Sequence, residues 1–180
     1  MNLLVDAGNT SIKMAVSDGD TISPEVRCDE STFISAIDQL ADLYGKFDVS
    51  AVSDVRGMGN ELYAHLNKVS SKVVNVRGDI HLPIINKYGT PETLGPDRLC
   101  AAIGAKMLYP GENCVIVDFG TAITFDFLTE KGEFLGGNIS LGLGTRFKSL
   151  HHFTGKLPLL KRVDDIENIG TTTRSAIESG

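Results

Sequence analysis

Two short stretches of the chain combine a carboxylate, a glycine and hydroxyl side chains directly after an apolar strand. The first is Asp6–Lys13 and the second is Asp118–Thr124. The glycine lets a polyphosphate approach the backbone, the following N–H and hydroxyl groups donate to its oxygens, and the carboxylate can hold a hydrated cation. A single such turn is explained equally well as a hairpin with an Asx-type cap. Two of them in one chain favour nucleotide phosphates as the ligand.

A third candidate for chemistry is the adjacent pair Asp97 and Arg98. Phosphoryl transfer needs a carboxylate that accepts the proton of the attacking hydroxyl, and Asp97 is of that type. Because Asp97 opens a predicted helix, the residue pattern alone favours a helix N-cap, a role compatible with catalysis. For Arg98, the alternatives are a surface ion pair and a planar partner for the carboxylate of an acidic substrate.

The elements that must position these residues alternate between strands and helices. Strands are predicted over residues 3–7, 11–17, 49–55, 72–76, 114–119, 122–128 and 134–139, and helices over 32–44, 61–69 and 97–108. The first two strands form a predicted hairpin, and residues 78–96, with three prolines, form an irregular connection. This order predicts a layered α/β protein in which two blocks begin in the same way.

Composition excludes several classes of protein. The 180 residues carry a net charge of −6 and no block of Lys or Arg, which argues against a nucleic-acid partner. No apolar run approaches the ~20 residues of a membrane span, and the N-terminus does not resemble a signal peptide, so we expect a cytoplasmic protein. Cys28, Cys100 and Cys114 form no CxxC pair, which predicts reduced thiols.

Two further pairs have less specific interpretations. Gly136-Gly137 is interpreted as a close approach of backbones, with a bulge or turn as an equal alternative. His151-His152 invites a metal interpretation, but adjacent residues point to different sides of a helix and no further ligand joins them at a suitable spacing. We therefore predict surface or interface histidines.

Five motifs in order resemble those of the type III pantothenate kinases, within the actin, sugar-kinase and Hsp70 superfamily. They are the two turns, Gly95–Arg98, Gly136–Ile139 and Ile169–Thr173, and Tyr88 lies seven residues before Gly95 as in that family. The resemblance implies an actin-like (ribonuclease H-like) α/β ATPase fold with two related domains, expected at 1–96 and 97–180, the second incomplete. It also implies a homodimer that phosphorylates pantothenate with ATP, the first step of coenzyme A biosynthesis.

The resemblance also assigns roles to single residues. ATP would bind to Asp6, Ala7, Gly8, Asn9, Thr10, Ser11, Ile12, Lys13 and Thr121. Asp6 would lie near Mg²⁺, and Asp118 would hold a monovalent cation, K⁺ or NH₄⁺. Asp97 would be the catalytic base. Pantothenate would be bound by Tyr88, Gly95, Pro96, Asp97, Arg98 and, from the partner subunit, Thr173. On residue pattern alone, Lys13 is equally the solvent-facing residue of an alternating strand.

Two departures from the family pattern set further expectations. Ser140-Leu141-Gly142 stands where the family usually has a Pro-Gly pair, so the loop there is expected to differ. Family members also run past the position of Gly180, and a second sheet limited to three strands would leave an apolar face and an edge uncovered. The alternative function is a non-catalytic, nucleotide-binding regulatory relative. Another kinase or phosphatase of the superfamily is disfavoured by Tyr88, Gly95–Arg98 and Thr173.

Overall fold

The computed structural model describes all 180 residues as an α/β protein with two sheets. The strands are β1 (Asn2–Ala7), β2 (Ile12–Asp18), β3 (Thr21–Ile22), β4 (Val26–Cys28), β5 (Phe47–Asp54), β6 (Ser70–Asn75), β7 (Ile85–Asn86), β8 (Cys114–Phe119), β9 (Ala122–Leu128) and β10 (Glu133–Leu141). The helices are α1 (Phe33–Tyr44), α2 (Asn60–Val69), α3 (Pro96–Leu108), α4 (Leu143–Phe153) and α5 (Thr173–Ser179). These elements confirm the predicted α/β class.

The first sheet has the order β3-β2-β1-β5-β6, and β4 also pairs with β2. β1 and β2 form the predicted antiparallel hairpin, whereas β5 runs parallel to β1 and β6 runs parallel to β5. Parallel neighbours require crossover connections, and the amphipathic helices α1 and α2 supply them. Gly45 ends α1 with a φ of 80°, a left-handed conformation that favours glycine.

Buried and less buried residues alternate along β1 and β2, which gives this sheet two different faces. Leu3, Val5 and Ala7 of β1 are buried in one core cluster with apolar residues of α1 and α2. Asp6 is therefore on the opposite face of the sheet. The helix α3 contacts β5, the strand parallel to β1.

The second sheet has the order β7-β10-β9-β8, which leaves β8 at its edge. The three long strands follow one another along the chain, and no further strand lies beyond β8. After β10, α4, the following segment and α5 form a small core around Phe147, Leu160 and Ile177.

Compactness divides the chain into two units. The first comprises Met1–Cys114 with Phe127–Gly136, and the second comprises Val115–Asp126 with Gly137–Gly180. The boundary expected between residues 96 and 97 lies within α3, which belongs entirely to the first unit. No helix is both long enough and apolar enough to span a membrane.

Candidate active site

The carboxylate of Asp6 is held at the end of β1 by its two neighbouring strands. Ser53 of β5 donates a hydrogen bond to Asp6 Oδ1 at 3.3 Å, and Lys13 Nζ of β2 lies 3.4 Å from Asp6 Oδ2. Both partners are the residues that the strand register places opposite Asp6. The Lys13 and Asp6 side chains are both partly exposed, so their ion pair contributes little stability and can reorganise when an anion binds.

The turn after Asp6 is closed by the backbone. Gly8 N donates to Ser11 O at 3.2 Å, and a Cβ added to Gly8 would meet no atom closer than 3.4 Å. Gly8 also lacks a positive φ. Neither the backbone conformation nor the packing of the protein therefore requires glycine here. The space above the turn is available to a ligand.

Asp97 lies in the first turn of α3, where Gly95 is the N-cap. The structural role expected for Asp97 from the residue pattern, the N-cap itself, is therefore wrong, because the helix begins at Pro96. Asp97 Oδ1 accepts a hydrogen bond from Arg98 N at 2.8 Å. A Cβ on Gly95 would lie 2.4 Å from Asp97 Oδ1, so the glycine makes room for this carboxylate.

Arg98 is not a surface residue, since it is only 6% exposed. Its guanidinium carbon lies 5.3 Å from the ring centre of Tyr88 and 5.9 Å from that of Phe134, within the range of cation–π attraction. The two rings lie 6.3 Å apart and are tilted by 42°. The surface position considered for Arg98 is therefore wrong, and the structure holds the cation against two aromatic rings.

Phe134, which the sequence interpretation missed, and Gly136 shape this arginine site. Phe134 is fully buried in β10, and Gly136 has a φ of 96° that favours glycine. A Cβ on Gly136 would lie 2.9 Å from the Tyr88 ring. The Gly-Gly motif was a visible signal, but its contact with Tyr88 depends on β10 pairing with β7, which precedes Tyr88 by two residues.

Cys100 of α3 lies within range of the charges of both Asp6 and Asp97. The pKa of its thiol is raised to about 11, first by desolvation from surrounding atoms and then by the charges of Asp6 and Asp97. Cys100 is nevertheless an exposed residue when the whole side chain and backbone are considered. Both carboxylates are therefore near enough to the Cys100 thiol, one helical turn into α3, for their charges to act on it.

The second turn, Gly120-Thr121, is held by the beginning of α4. Gly142 N donates to Thr121 O at 3.0 Å, and Thr145 Oγ1 donates to the same oxygen at 2.6 Å. A Cβ on Gly142 would lie 2.1 Å from Gly120 O, so this position requires glycine. A Cβ on Gly120 itself would meet nothing closer than 3.5 Å. Like Gly8, Gly120 leaves room that the protein does not use.

Comparison with known proteins identifies the family. The family model described as type III pantothenate kinase matches residues 2–180. The chain belongs to the type III pantothenate kinase family. It is 40% identical to the type III pantothenate kinase of Bacteroides fragilis strain YCH46 over 182 residues, which cover the whole chain and 73% of the relative. The enzyme of the same name from Christiangramia forsetii is 39% identical and is covered to 74%.

A solved structure supports the fold of this family member. A Campylobacter jejuni protein of the Baf family of transcriptional activators superposes with a TM-score of 0.56 at 22% identity, over 98% of this chain and 72% of that one. At this identity the likeness shows the fold alone. Together with the two mixed sheets, it confirms the expected α/β fold class.

The remaining predicted residues lie in the second unit of the family member. Asp118 is an exposed residue near the end of β8, and Thr173 is the exposed first residue of α5, whose N-cap is Thr172. His151 and His152 are exposed, as predicted, and no group of three potential metal ligands occurs. Gly137 confirms the close-approach interpretation, since a Cβ there would lie 1.7 Å from Phe125 O.

A cavity of about 460 Å³ adjoins the second turn. Gly120 and Phe119 contribute to its lining, and Arg162, Asp164 and Glu178 are its charged members. The other lining residues are Ile123, Leu143, Phe147, Val163 and Ile166. A largely apolar cavity with a few charged groups beside a phosphate-type turn is suited to a small organic ligand.

Proposed function

We propose that this protein transfers the γ-phosphoryl group of ATP to pantothenate, forming 4'-phosphopantothenate in the first step of coenzyme A biosynthesis. The observation that carries the proposal is that Asp97, whose Oδ1 accepts a hydrogen bond from the backbone N–H of Arg98, stands next in sequence to the buried side chain of Arg98. The family to which the chain belongs supplies the reaction class, because relatives at 39–40% identity are named type III pantothenate kinases. We expect this reaction to take place in the cytoplasm.

Asp97 is proposed as the base. Its carboxylate accepts the proton of the pantothenate hydroxyl while that oxygen forms a bond to the γ-phosphorus. The bond from the γ-phosphorus to the bridging oxygen breaks, and ADP leaves with the electron pair. Gly95 supports this role because it leaves the space that Asp97 Oδ1 occupies.

Arg98 is proposed to bind the carboxylate of pantothenate. A guanidinium held over two aromatic rings keeps its planar donors in one orientation, and two parallel hydrogen bonds to a carboxylate need that orientation. Tyr88, Gly95 and Pro96 would complete the pocket from the first unit. Thr173 would complete it from the partner subunit of a homodimer.

The two turns are proposed to bind the phosphates of ATP through Asp6–Lys13 and Thr121. Gly8 and Gly120 support this proposal, since neither is needed for conformation or packing. Lys13, which forms an ion pair with Asp6, would also neutralise negative charge on the phosphates.

The carboxylates fit the two cations that the family implies. Mg²⁺ is usually bound by one or two carboxylates together with waters and substrate phosphates, so Asp6 alone is a sufficient protein ligand once a nucleotide is bound. Asp118 would hold K⁺ or NH₄⁺ through its exposed carboxylate. When bound, Mg²⁺ would neutralise charge that develops on the phosphates.

An assay for ADP and phosphopantothenate tests the proposal. The chain is incubated with ATP, Mg²⁺, K⁺ and pantothenate, alone and with each component omitted. We expect pantothenate-dependent ADP formation that Asp97→Asn reduces by roughly 10²–10⁴-fold. The matched control is Asp79→Asn, an exposed carboxylate that forms an ion pair with Arg77. Full activity of Asp97→Asn would contradict the assignment of the base.

A further inference from the structure

Four neighbouring strands of the first sheet each contribute one polar residue to a single row. In the order β5, β1, β2 and β4, the members of this polar row are Ser53, Asp6, Lys13 and Arg27. The register places each of them directly opposite the next one. Only one residue pair of the β1–β2 ladder separates the row from the turn that joins these two strands. The polar row therefore borders the proposed ATP turn.

Arg27 points to the same side of the sheet as Asp6 and Lys13. Its neighbours along β4, Val26 and Cys28, both pack against the core cluster on the other face, and side chains alternate along a strand. Residues directly opposite in an antiparallel pair have Cβ atoms about 4.5–5.5 Å apart. Two cationic side chains therefore start side by side on the face that carries the Asp6 carboxylate.

The pairing of Lys13 with Arg27 is unfavourable unless a negative charge compensates it, because like charges directly opposite each other destabilise a sheet. Each cation has a carboxylate partner: Lys13 Nζ lies 3.4 Å from Asp6 Oδ2, and Arg27 Nε donates to Glu25 Oε1. Between 38% and 67% of each of these four side chains is exposed. Such ion pairs are weak, so an incoming anion can replace either carboxylate.

The polar row also has a direction. The helix α3, which carries Asp97 and Arg98, contacts β5, the strand at one end of the row. Arg27 is on β4 at the other end, three strands away, and neighbouring strands are about 4.8 Å apart. Because the two cations are remote from the residues proposed to bind pantothenate, we expect them to act on the nucleotide.

We propose that Lys13 and Arg27 form a cation pair that binds the phosphates of ATP, which makes Arg27 an ATP-binding residue outside the turn. This inference rests on the proposed function, since it takes ATP as the ligand of the turn. A polyphosphate supplies the negative charge that the like-charged pair lacks. A guanidinium also forms strong, charge-assisted hydrogen bonds with phosphate oxygens. Glu25 holds the guanidinium of Arg27 until a phosphate replaces it.

Calorimetric titration of the whole chain with Mg²⁺ and a non-hydrolysable ATP analogue tests the proposal without reference to turnover. Arg27→Gln should weaken binding by about three- to tenfold, and Arg27→Lys, which keeps the charge, should weaken it less. The loss should shrink as salt is added. The matched control is Arg77→Gln, which should bind normally. Arg77 also pairs with a carboxylate two residues away, Asp79, but it follows β6 at the opposite edge of the sheet.

Stability measurements separate binding from a purely structural role. Because Arg27→Gln relieves the repulsion with Lys13, it should not lower the free energy of unfolding when nucleotide is absent. The same variant should show a smaller rise of Tm on addition of the ATP analogue. Glu25→Gln frees the guanidinium and should strengthen analogue binding, and this gain should vanish when Arg27→Gln is also present. Circular dichroism checks that the variants remain folded.

The outcomes for this inference and for the proposed function are distinguishable. Analogue binding that Arg27→Gln leaves unchanged would overturn the cation pair alone, and so would an equal loss in Arg77→Gln, since overall charge would then explain the effect. Binding that depends on Arg27, without pantothenate-dependent ADP formation, would support the cation pair and contradict the proposed function. Failure of the unsubstituted chain to bind the analogue would overturn both.

Discussion

The two turns of this molecule have nearly the same residue pattern, an Asp, a Gly and a Thr at the end of an apolar strand, but very different surroundings. Asp6 is held by Ser53 and Lys13 from two neighbouring strands of a sheet whose apolar face is covered by helices. Asp118 is exposed on the edge strand β8, whose odd residues Val115, Val117 and Phe119 are apolar and exposed. A strand–Gly–Thr opening therefore specifies a turn, whereas the strands and helices added beside it determine how the carboxylate is supported.

The largest expected difference between the two sheets is in stability. Phe47→Ala removes a fully buried ring from β5 and should lower the free energy of unfolding by about 3–5 kcal/mol. Phe119→Ala removes a ring that is 74% exposed on β8 and should change it by less than about 0.5 kcal/mol. Urea unfolding of both variants measures the contrast. Equal losses would show that the Phe119 side chain is buried in solution.

A second prediction contrasts two arginines that lie against phenylalanine rings. Arg98→Lys in the first unit should raise the KM for pantothenate by roughly 10–100-fold, since lysine lacks the planar fork that binds a carboxylate. Arg146→Lys in the second unit, where the guanidinium lies 5.7 Å from the Phe147 ring, should leave that KM unchanged. Steady-state kinetics with pantothenate varied at saturating ATP distinguishes the two. A similar KM increase in both variants would contradict the role given to Arg98.

The third prediction separates glycines needed for packing from those left for a ligand. Gly142→Ala should destabilise the protein by about 1–3 kcal/mol, because its Cβ would overlap Gly120 O. Gly8→Ala and Gly120→Ala should alter stability by no more than about 1 kcal/mol while weakening ATP binding. Thermal unfolding with and without ATP measures both effects. Unchanged ATP binding in both alanine variants would argue against phosphate contacts at the turns.

The smallest expected effect concerns Cys100. Because its pKa in the folded protein is raised from 9.0 to about 11, the thiol stays protonated at pH 9–10, where an unfolded thiol ionises. Ionisation then favours the unfolded chain, so this contribution lowers stability as pH rises from 9 towards 11. Cys100→Ser should remove that loss in unfolding experiments between pH 8 and pH 11.

Alkylation gives a second measurement of the same group. At pH 8, Cys100 in the folded protein should react roughly 10-fold more slowly than a thiol with an ordinary pKa, because the smaller thiolate fraction is partly offset by the greater nucleophilicity of a more basic thiolate. Asp97→Asn or Asp6→Asn should increase that rate, since each removes a charge that raises the pKa. Rates unaffected by both substitutions would show that the two carboxylates do not face one thiol.

Most elements of the fold were predictable because their patterns are local. The predicted bounds of five elements are close to those observed. They rest on the alternation of apolar and polar residues in β1 and β2, the helical spacing of apolar residues before Gly45, and the apolar runs of β8 and β9. The short strands β3, β4 and β7 and the helix α4 were not predicted, since two or three residues carry no period and α4 has little apolar periodicity. The departure at Ser140–Gly142 proved to be the end of β10 and the N-cap of α4.

The sequence by itself determined the two turns, the order of the family motifs and the identity of the acidic residues, because these depend on residue type and short spacing. Only the tertiary structure decided that Arg98 is buried between Tyr88 and Phe134, that Gly95 and Gly136 make room for Asp97 and Tyr88, and that Asp6 and Asp97 act on one thiol. It also decided which apolar strand residues stay exposed. Those properties depend on which strands pair and which helices cover them, and such long-range contacts are not encoded in a local pattern.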